Sequence, residues 1–294
     1  MTLASAPVSF REDPKQAAVA QWSADPCGPV VEGAAPGTRP YFEELMRGRW
    51  KYAPWMGQAL GYDGTAGLDV LDVGCGQGID LARYVSAGAS VTGIDLTPGH
   101  VQLAREHMAA MGLAATVVAG DAESLPFSDR SFDRVSSNGV LHHTPNLPAA
   151  LREIRRVLRP GGEMRITLYN RSSFHYWLNQ VLLYGIVCGD LARERSMAGV
   201  LSRRVEQTSI GARPLVRVHS PRQARRLVGE AGFAGVRSSV HHFRVQDAFV
   251  TSFLAPWGDR LAELGAFDRI GRLGGWYVLV RGLRPTGAAG AHGL

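Results

Sequence analysis

A regular alternation of strand-like and helix-like segments between residues 68 and 169 is the feature that most constrains how this 294-residue chain can fold. An apolar run at 68–73 ends in glycines, and a helical pattern follows at 79–87. Further strands are predicted at 90–94, 116–119, 132–136 and 163–169, with helices at 98–111 and 147–158. This order predicts an α/β fold with a doubly wound, mostly parallel sheet and helices on both faces.

Weaker patterns surround this core. A helix at 221–230, a strand at 236–241 and a last strand at 276–280 suit an antiparallel edge on a parallel sheet. The expected organisation is an N-terminal helical lid or cap (1–66), a ligand-binding core (67–170), a helical cap insertion (171–220), a core helix and strand (221–242), a second insertion (243–273), the last strand (274–284) and a disordered tail (285–294).

The composition predicts a soluble cytoplasmic protein. No apolar segment of signal-peptide type opens the chain, and the longest apolar run, 181–188, is far shorter than the roughly 20 residues of a membrane span. The three cysteines, Cys27, Cys75 and Cys188, are odd in number and have no CxxC spacing. We therefore expect neither a disulfide framework nor a metal site.

Positive charge is concentrated late in the chain. The formal net charge is +6, and residues 193–244 contain eleven arginines against three acids. This segment either attracts an anionic substrate by long-range steering or is a solvated basic face. No aromatic-rich RNA motif or helix-turn-helix pattern accompanies the charge, so no nucleic-acid partner is expected. The sequence does not predict the oligomeric state.

A glycine loop joins the first strand of the core to its first helix. Gly74, Gly76 and Gly78 allow a tight turn and a close approach of ligand to backbone. A dinucleotide-binding loop would place its third glycine at position 79, where this chain has Ile79. Asp72 ends the strand, where a pyrophosphate would be repelled and a cationic ligand attracted.

The next two strands also end in acids. Asp95 lies where ribose hydroxyls can donate to it, and Asp121 follows the third strand. Each acid by itself is explained by a helix cap or a turn. Together with Asp72, they favour a cationic ligand that carries a nucleoside.

Six segments in the order of the chain resemble successive motifs of the class I S-adenosylmethionine methyltransferases, in the small-molecule branch that includes the quinone-biosynthesis enzymes. They are VLDVGCGQG (70–78), GID (93–95), GDA (120–122), LPF (125–127), GVLHH (139–143) and RVLRPGG (156–162). The resemblance covers residues 68–169. It implies S-adenosylmethionine as cofactor and a seven-stranded, mostly parallel Rossmann-like fold with helical cap insertions.

The family's roles are carried over by position. The loop from Gly74 to Gly78 would hold the methionine part, Asp95 the ribose and Leu96 one face of the adenine. Asp121 and Ala122 would contact the edge of the adenine. Asn138 and Gly139 would face the amino group of the methionine part. The complete expected cofactor set is Asp72, Gly74, Gly76, Gly78, Asp95, Leu96, Asp121, Ala122, Asn138 and Gly139.

The expected catalytic residues are His143 and His142, at the tip of the fourth strand. Methyl transfer from a sulfonium is a direct displacement, so positioning supplies most of the rate, and a base is needed only if the acceptor must lose a proton. His143 is the stronger base candidate, because His142 is well explained as a packed residue. Weaker candidates are Tyr169, His175, His219, His241 and His242.

Both flanking segments are predicted to cover the site. Aromatic and apolar residues at 174–184 suit the core of a cap more than a pocket wall. The expected lid residues over the cofactor are Tyr41, Phe42, Arg49, Trp50 and Trp55.

The sequence thus predicts a methyltransferase acting on oxygen or nitrogen of a small metabolite, with an anionic metabolite as one option. Two alternatives remain open: a C-methyltransferase, and a catalytically silent cofactor-binding regulatory subunit. A nicotinamide-dependent oxidoreductase fits poorly, because Ile79 departs from the dinucleotide pattern.

Overall fold

In a computed structural model of the chain, the residues described are 13–28, 31–206, 209–244, 249 and 266–287. The strands are β1 (Asp69–Val73), β2 (Ser90–Asp95), β3 (Thr116–Ala119), β4 (Phe132–Asn138), β5 (Leu158–Asn170), β6 (Val218–His219), β7 (Ala234–His241) and β8 (Tyr277–Leu283). The α-helices are α1 (Pro14–Ala24), α2 (Arg39–Tyr52), α3 (Met56–Leu60), α4 (Ile79–Ser86), α5 (Pro98–Met111), α6 (Leu147–Val157), α7 (Asp190–Glu194), α8 (Met197–Arg204), α9 (Pro221–Glu230) and α10 (Ala266–Gly274).

The sheet has the order β3-β2-β1-β4-β5-β8-β7, and β6 pairs with β5 beside this path. Strands β1 to β5 pair in parallel, whereas β8 is antiparallel to both of its neighbours. The predicted doubly wound, mostly parallel seven-stranded sheet is therefore confirmed, with a short eighth strand that was not expected. The antiparallel strand lies inside the sheet, and β7 forms the edge.

Apolar patterning explains why these segments pair and pack. Four of the five residues of β1 are buried, as expected for a strand covered on both faces. Helix α6 begins where the Asn146 side chain accepts a hydrogen bond from the Ala149 amide. Its inward face places Leu151 and Ile154 fully out of solvent in the main core. Burial of each such side chain contributes about 1.5–3 kcal/mol.

The N-terminal segment contains a helix that the sequence analysis did not identify. Asp13 caps α1 by accepting a hydrogen bond from the Lys15 amide, and Pro14 occupies the first turn. Helix α1 then packs against α5. Helix α2 has Pro40 in its first turn and ends before Pro54. These helices lie beside the glycine loop and supply part of the wall of the site.

The cap between β5 and α9 contains a π-helix, His175–Val187, followed by α7 and α8. Several of the arginines predicted to steer a substrate are paired inside this cap. Arg203 and Arg204 contact Asp190, whose side chain is fully buried, while Arg213 contacts Glu194 at 2.7 Å. Hydrogen bonding from Arg204 lowers the pKa of Asp190.

Most of the second insertion and the tail beyond residue 287 lie outside the described residues. Among the helices that the structure does describe, none combines the length and apolar character needed to cross a bilayer.

Candidate cofactor and acceptor site

A cavity of about 890 Å³ opens at the carboxyl ends of the central strands, where a doubly wound sheet binds its ligands. We distinguish two ends of its wall. The loop end contains Gly74, Gly76, Asp95, Leu96 and Asp121. The tyrosine end contains Tyr52, His143, Tyr169, Glu206 and Tyr277. The ring of Trp22 lies near both ends, 6.5 Å from that of His100 and 5.7 Å from that of His143.

The glycine loop has no space for side chains. Gly74 and Gly76 have φ values of 76° and 53°, in the left-handed region that favours glycine. A Cβ atom on Gly74 would collide with Val140, and one on Gly76 would lie 2.6 Å from the Cys27 sulfur. Both glycines line the cavity, so a ligand can lie directly against their backbone. Gly78 is placed differently: it packs against Ala104 and is not part of the cavity wall.

Asp95 is held in one orientation at the end of β2. Its carboxylate accepts hydrogen bonds from the amides of Gly76 and Thr97, each at 2.9 Å, and lies 3.3 Å from His100 Nδ1. Burial would raise the pKa of Asp95, but these partners outweigh it and lower the pKa below its ordinary value. The result is an ionised acceptor on the cavity wall, as the expected ribose contact requires. Leu96 lines the wall beside it.

Asp121 forms an ion pair with a residue that was not predicted from the sequence. Lys15 Nζ lies 2.6 Å from Asp121 Oδ2 and 2.7 Å from Glu123 Oε2. The other Asp121 oxygen accepts the Glu123 amide at 2.9 Å. Asp121 and Ala122 both line the cavity, as expected for residues at the adenine edge. Nothing in the local sequence around Lys15 indicates this contact, because its partner lies 106 residues away.

Asp72, the acid that precedes the glycine loop, is buried outside the cavity wall. Asp72 is 1% exposed and does not line the wall, contrary to the expectation of a direct contact, because it lies inside β1, one residue before the strand ends at Val73. Burial, followed by the like charge of Asp80, raises its pKa well above the ordinary value. Asp80, at the start of α4, lines the cavity instead and accepts hydrogen bonds from Tyr62 at 2.7 Å and Asn138 at 3.0 Å. Asp80 was not among the residues predicted from the sequence.

Asn138 and Gly139 occupy the wall between the two ends of the cavity. The Thr167 hydroxyl donates to Asn138 Oδ1 at 2.7 Å and accepts the Gly139 amide at 2.8 Å. Asn138 in turn donates to Asp80. This connected network fixes the backbone and the amide side chain next to the glycine loop.

The two candidate histidines have different surroundings. His143 lines the cavity, and its Nδ1 lies 2.7 Å from the Leu215 carbonyl oxygen, which can only accept. The proton of neutral His143 is therefore on Nδ1, and Nε2 is left as an acceptor 3.6 Å from Glu206. His142 is fully buried and is absent from the wall, and burial lowers its pKa well below the ordinary value. Its position supports the packed role.

The tyrosine end contains a carboxylate that was not predicted. The Tyr169 hydroxyl donates to Glu206 Oε1 at 2.6 Å, and the hydroxyls of Tyr52 and Tyr277 are 3.3 Å apart. Burial raises the pKa of both Tyr169 and Tyr277 well above the ordinary value, so both remain neutral phenols. Of the weaker candidates, only Tyr169 lies on the cavity wall; His175, His219, His241 and His242 do not.

Only two of the five expected lid residues lie on the cavity wall. Tyr41 and Arg49 line the cavity, and the Tyr41 hydroxyl donates to Gln77 at 2.8 Å. Phe42 is instead buried against His107, with parallel rings 4.3 Å apart. Trp50 packs on Tyr62, and Trp55 stacks on His241, in both cases away from the wall.

One arrangement among the described residues has the composition of a metal site. His142, His143 and Glu206 offer ligand atoms that all lie within 4.8 Å of one another. No metal was expected from the sequence, so this trio is the place where that expectation can be tested.

Known proteins resemble the region that builds the loop end. A family profile described as "Methyltransferase domain" matches residues 71–166. The malonyl-(acyl-carrier protein) O-methyltransferase of Erwinia pyrifoliae is 43% identical over 106 residues, which are 36% of this chain and 39% of that protein. The demethylmenaquinone methyltransferase of Staphylococcus aureus is 41% identical over 99 residues, 33% of this chain and 41% of that protein. The alignments thus span less than half of each relative.

The fold is shared more widely. A solved S-adenosylmethionine-dependent methyltransferase from Methanosarcina mazei has a TM-score of 0.54 and 19% identity, with 78% of this chain and 97% of that chain covered. At this identity the likeness concerns the fold. The matched profile and its glycine loop show that residues 71–166 resemble a methyltransferase domain, and the fold agrees with that of a solved S-adenosylmethionine-dependent methyltransferase.

Proposed function

We propose that this chain transfers a methyl group from S-adenosylmethionine to an oxygen or nitrogen atom of a small molecule bound at the tyrosine end of the cavity. The observation that carries the proposal is the hydrogen bonding of His143 on the cavity wall. Its Nδ1 is engaged by the Leu215 carbonyl, which leaves the Nε2 lone pair available in the same cavity as the glycine loop. A proton acceptor is needed for oxygen and nitrogen acceptors that carry a proton.

The loop end has the chemistry that this cofactor requires. The backbone of Gly74 and Gly76 offers the close approach, and the ionised Asp95 offers an acceptor for ribose hydroxyls. Among the described residues, five carboxylates line the cavity against one lysine, one arginine and His100, whose pKa is raised to about 10. This excess of acids favours a ligand that bears a sulfonium and an ammonium group. The bound cofactor supplies a methyl group on positively charged sulfur, which leaves readily.

The role of the protein in this reaction is positioning and proton removal. The ring of Trp22 lies against His143, and Tyr169 and Tyr277 are buried, an arrangement that would limit the access of water to the tyrosine end. His143 would take the proton of the acceptor on Nε2, and Glu206, 3.6 Å away, would stabilise the resulting imidazolium.

The names of the relatives do not select the acceptor atom. One is an O-methyltransferase, another a demethylmenaquinone methyltransferase, and a third, from Caenorhabditis elegans, a sterol 4-C-methyltransferase. Our choice of oxygen or nitrogen depends on His143. The expectation of an anionic acceptor is not supported, because no described arginine between 193 and 244 lines the cavity.

The test is incubation of the purified chain with methyl-labelled S-adenosylmethionine and fractionated small-molecule extract. We expect labelled product with the methyl group on oxygen or nitrogen. The His143→Gln variant should lower kcat by roughly 10²–10⁴-fold, the usual contribution of a general base. His241→Gln, a histidine outside the cavity wall, serves as the matched control and should leave kcat unchanged.

Three results would contradict the proposal. Failure to bind S-adenosylmethionine would remove its basis. A methyl group found on carbon would favour the C-methyltransferase alternative. Tight cofactor binding without transfer to any fraction would favour a catalytically silent subunit.

A further inference from the structure

We propose that the acceptor is a protonated amine carried by an apolar, ring-bearing molecule, and that Glu206 is the residue that selects it. This inference rests on the proposed function and narrows its acceptor from oxygen or nitrogen to nitrogen. Four features of the described residues support it: the charges on the cavity wall, the pairing of Glu206, the packing of Tyr169 and the state of His143.

Of the lysine and arginine side chains on the described cavity wall, Lys15 is ion-paired, whereas Arg49 forms no ion pair with a described carboxylate. Lys15 pairs with Asp121 and Glu123. The charge of Asp80 acts on Arg49 and, against the effect of burial, raises the pKa of the guanidinium. The remaining wall carboxylates face the cavity without a lysine or arginine partner among the described residues, and Glu206 is the one that belongs to the tyrosine end.

Among the described residues, Glu206 has no lysine or arginine partner of the kind that a buried carboxylate normally has. Its side chain is 16% exposed, and Oε1 accepts the Tyr169 hydroxyl. Within the described chain no lysine or arginine pairs with it, and the nearest basic atom is His143 Nε2 at 3.6 Å. Removing an unpaired charge from water is costly, so such a group favours a ligand that brings the opposite charge. An ammonium group meets this need, whereas a carboxylate ligand would be repelled.

The Tyr169 hydroxyl orients Glu206 by a hydrogen bond. Because Tyr169 is neutral, it does not cancel the negative charge of Glu206. His142 and Trp276 pack on the Tyr169 ring, with centroids 3.7 Å and 4.5 Å away, which leaves its hydroxyl for the cavity. Tyr277 lies 5.6 Å from Tyr169 and adds a second buried ring to this end. A carboxylate next to buried aromatic rings suits an amine attached to an apolar ring or chain.

The groups named so far account for every proton and electron pair in the proposed transfer. In this step Nε2 of His143 accepts one proton from the ammonium group, and the resulting imidazolium faces Glu206. The freed nitrogen lone pair forms the bond to the methyl carbon while the carbon–sulfur bond breaks and its electron pair stays on sulfur. The products are the methylated ammonium ion and neutral S-adenosylhomocysteine, and the proton on His143 returns to solvent.

The experiment compares three probes of matched shape: 2-phenylethylamine, 2-phenylethanol and phenylacetate. Each is titrated by calorimetry into the full chain saturated with S-adenosylhomocysteine. We expect the amine to bind at least about tenfold more tightly than the alcohol or the acid, equivalent to about 1.4 kcal/mol. Glu206→Gln should remove this preference while the affinity for S-adenosylhomocysteine stays the same.

Two variants control for structural damage. Glu230→Gln removes an exposed carboxylate that pairs with Arg226 on α9, and it should keep the preference for the amine. Tyr169→Phe removes the hydrogen bond to Glu206 but not its charge, so the preference should also persist there, at reduced strength.

The proposal is overturned if the alcohol or the acid binds as tightly as the amine, if none of the three binds, or if Glu206→Gln retains the preference. It is also overturned if the purified protein holds a stoichiometric divalent metal through His143 and Glu206, because the carboxylate would then be a metal ligand. Loss of S-adenosylhomocysteine binding in the unaltered chain would instead contradict the proposed function itself.

Discussion

Lys15 on α1 lies 2.6 Å from Asp121, which follows β3. This ion pair joins the first described helix to the loop end of the cavity. Glu123 extends this connection: it accepts hydrogen bonds from Lys15 at 2.7 Å and from the Thr144 hydroxyl at 2.6 Å. One ammonium group therefore joins α1, the turn after β3 and the segment that follows His143.

Replacement of Lys15 should loosen this connection. The side chains of Lys15 and Asp121 are each about one-third exposed, so each ion pair contributes only about 0.5–1 kcal/mol. We expect Lys15→Met to weaken S-adenosylmethionine binding by about two- to fivefold at low salt, with a smaller difference at high salt because the pairs are screened. Calorimetry at two ionic strengths measures this. Lys51→Met, the substitution of the only other lysine, should have no effect.

Cys27 provides a direct report of cofactor binding. Its sulfur lies over Gly76, and its backbone is held by Gln77 at 2.7 Å and by His100 at 3.3 Å. A ligand on the glycine loop should cover this thiol. We expect S-adenosylhomocysteine at about 100 times its Kd to slow alkylation of Cys27 by about a hundredfold.

Peptide mass spectrometry after iodoacetamide treatment follows each thiol separately. Exposed Cys188 is the internal control and should react at the same rate with and without ligand, whereas buried Cys75 should react slowly in both cases. Equal alkylation of Cys27 in both samples would place the cofactor elsewhere.

Arg49 is the described basic group best placed to bind a ligand carboxylate. It lines the cavity, its Nε has no hydrogen-bond partner among the described residues, and one of its terminal nitrogens lies 3.7 Å from the Met56 sulfur. Hydrogen bonds to charged groups contribute about 1.5–3 kcal/mol. Arg49→Met should therefore raise the Kd of S-adenosylhomocysteine by at least about tenfold.

A truncated ligand separates this role from general damage. 5′-Methylthioadenosine lacks the amino-acid carboxylate, so its affinity should be the same in Arg49→Met and in the unaltered chain. Arg47→Met removes an exposed neighbour on α2 that pairs with Glu44, and it should leave both affinities unchanged. Equal weakening of the two ligands in Arg49→Met would argue for a structural role.

The core was predictable because its signals are local. The bounds of α5, β3 and α9 follow from apolar periodicity and from prolines in the first helical turn, and the structure has them at the predicted residues. Asp95 and Asp121 were found for a related reason: parallel strands end at one edge of the sheet, so acids at successive strand ends converge there.

The tyrosine end was not predictable from local patterns. Glu206 meets Tyr169 across 37 residues, and Tyr52 meets Tyr277 across 225. Such contacts are set by how the cap and the last strand pack, which periodicity does not encode. Similarly, the arginine count at 193–244 predicted a charged surface but could not show that Asp190 and Glu194 pair with several of its members.

His219 should make the stability of the fold depend on pH. Burial, assisted by the positive charge of Arg217, lowers its pKa to about 4, well below the ordinary value of 6.5. The unfolded chain therefore binds more protons than the folded chain between these two values. The stabilisation is complete above about pH 6.5 and is lost as the pH falls towards 4, with a total of up to about 3 kcal/mol for this side chain. Replacement by a residue that does not titrate should remove this contribution.

We expect His219→Gln to show a shallower fall in the free energy of unfolding between pH 6.5 and 4 than the unaltered chain, measured by urea denaturation at several pH values. At pH 8 the two proteins should differ only by the cost of the substitution itself. Some dependence on pH should remain in the variant, because burial also lowers the pKa of His242, to about 3. An unchanged slope in His219→Gln would mean that His219 is protonated in the folded state, and that the segment carrying β6 is more open to water than its burial indicates.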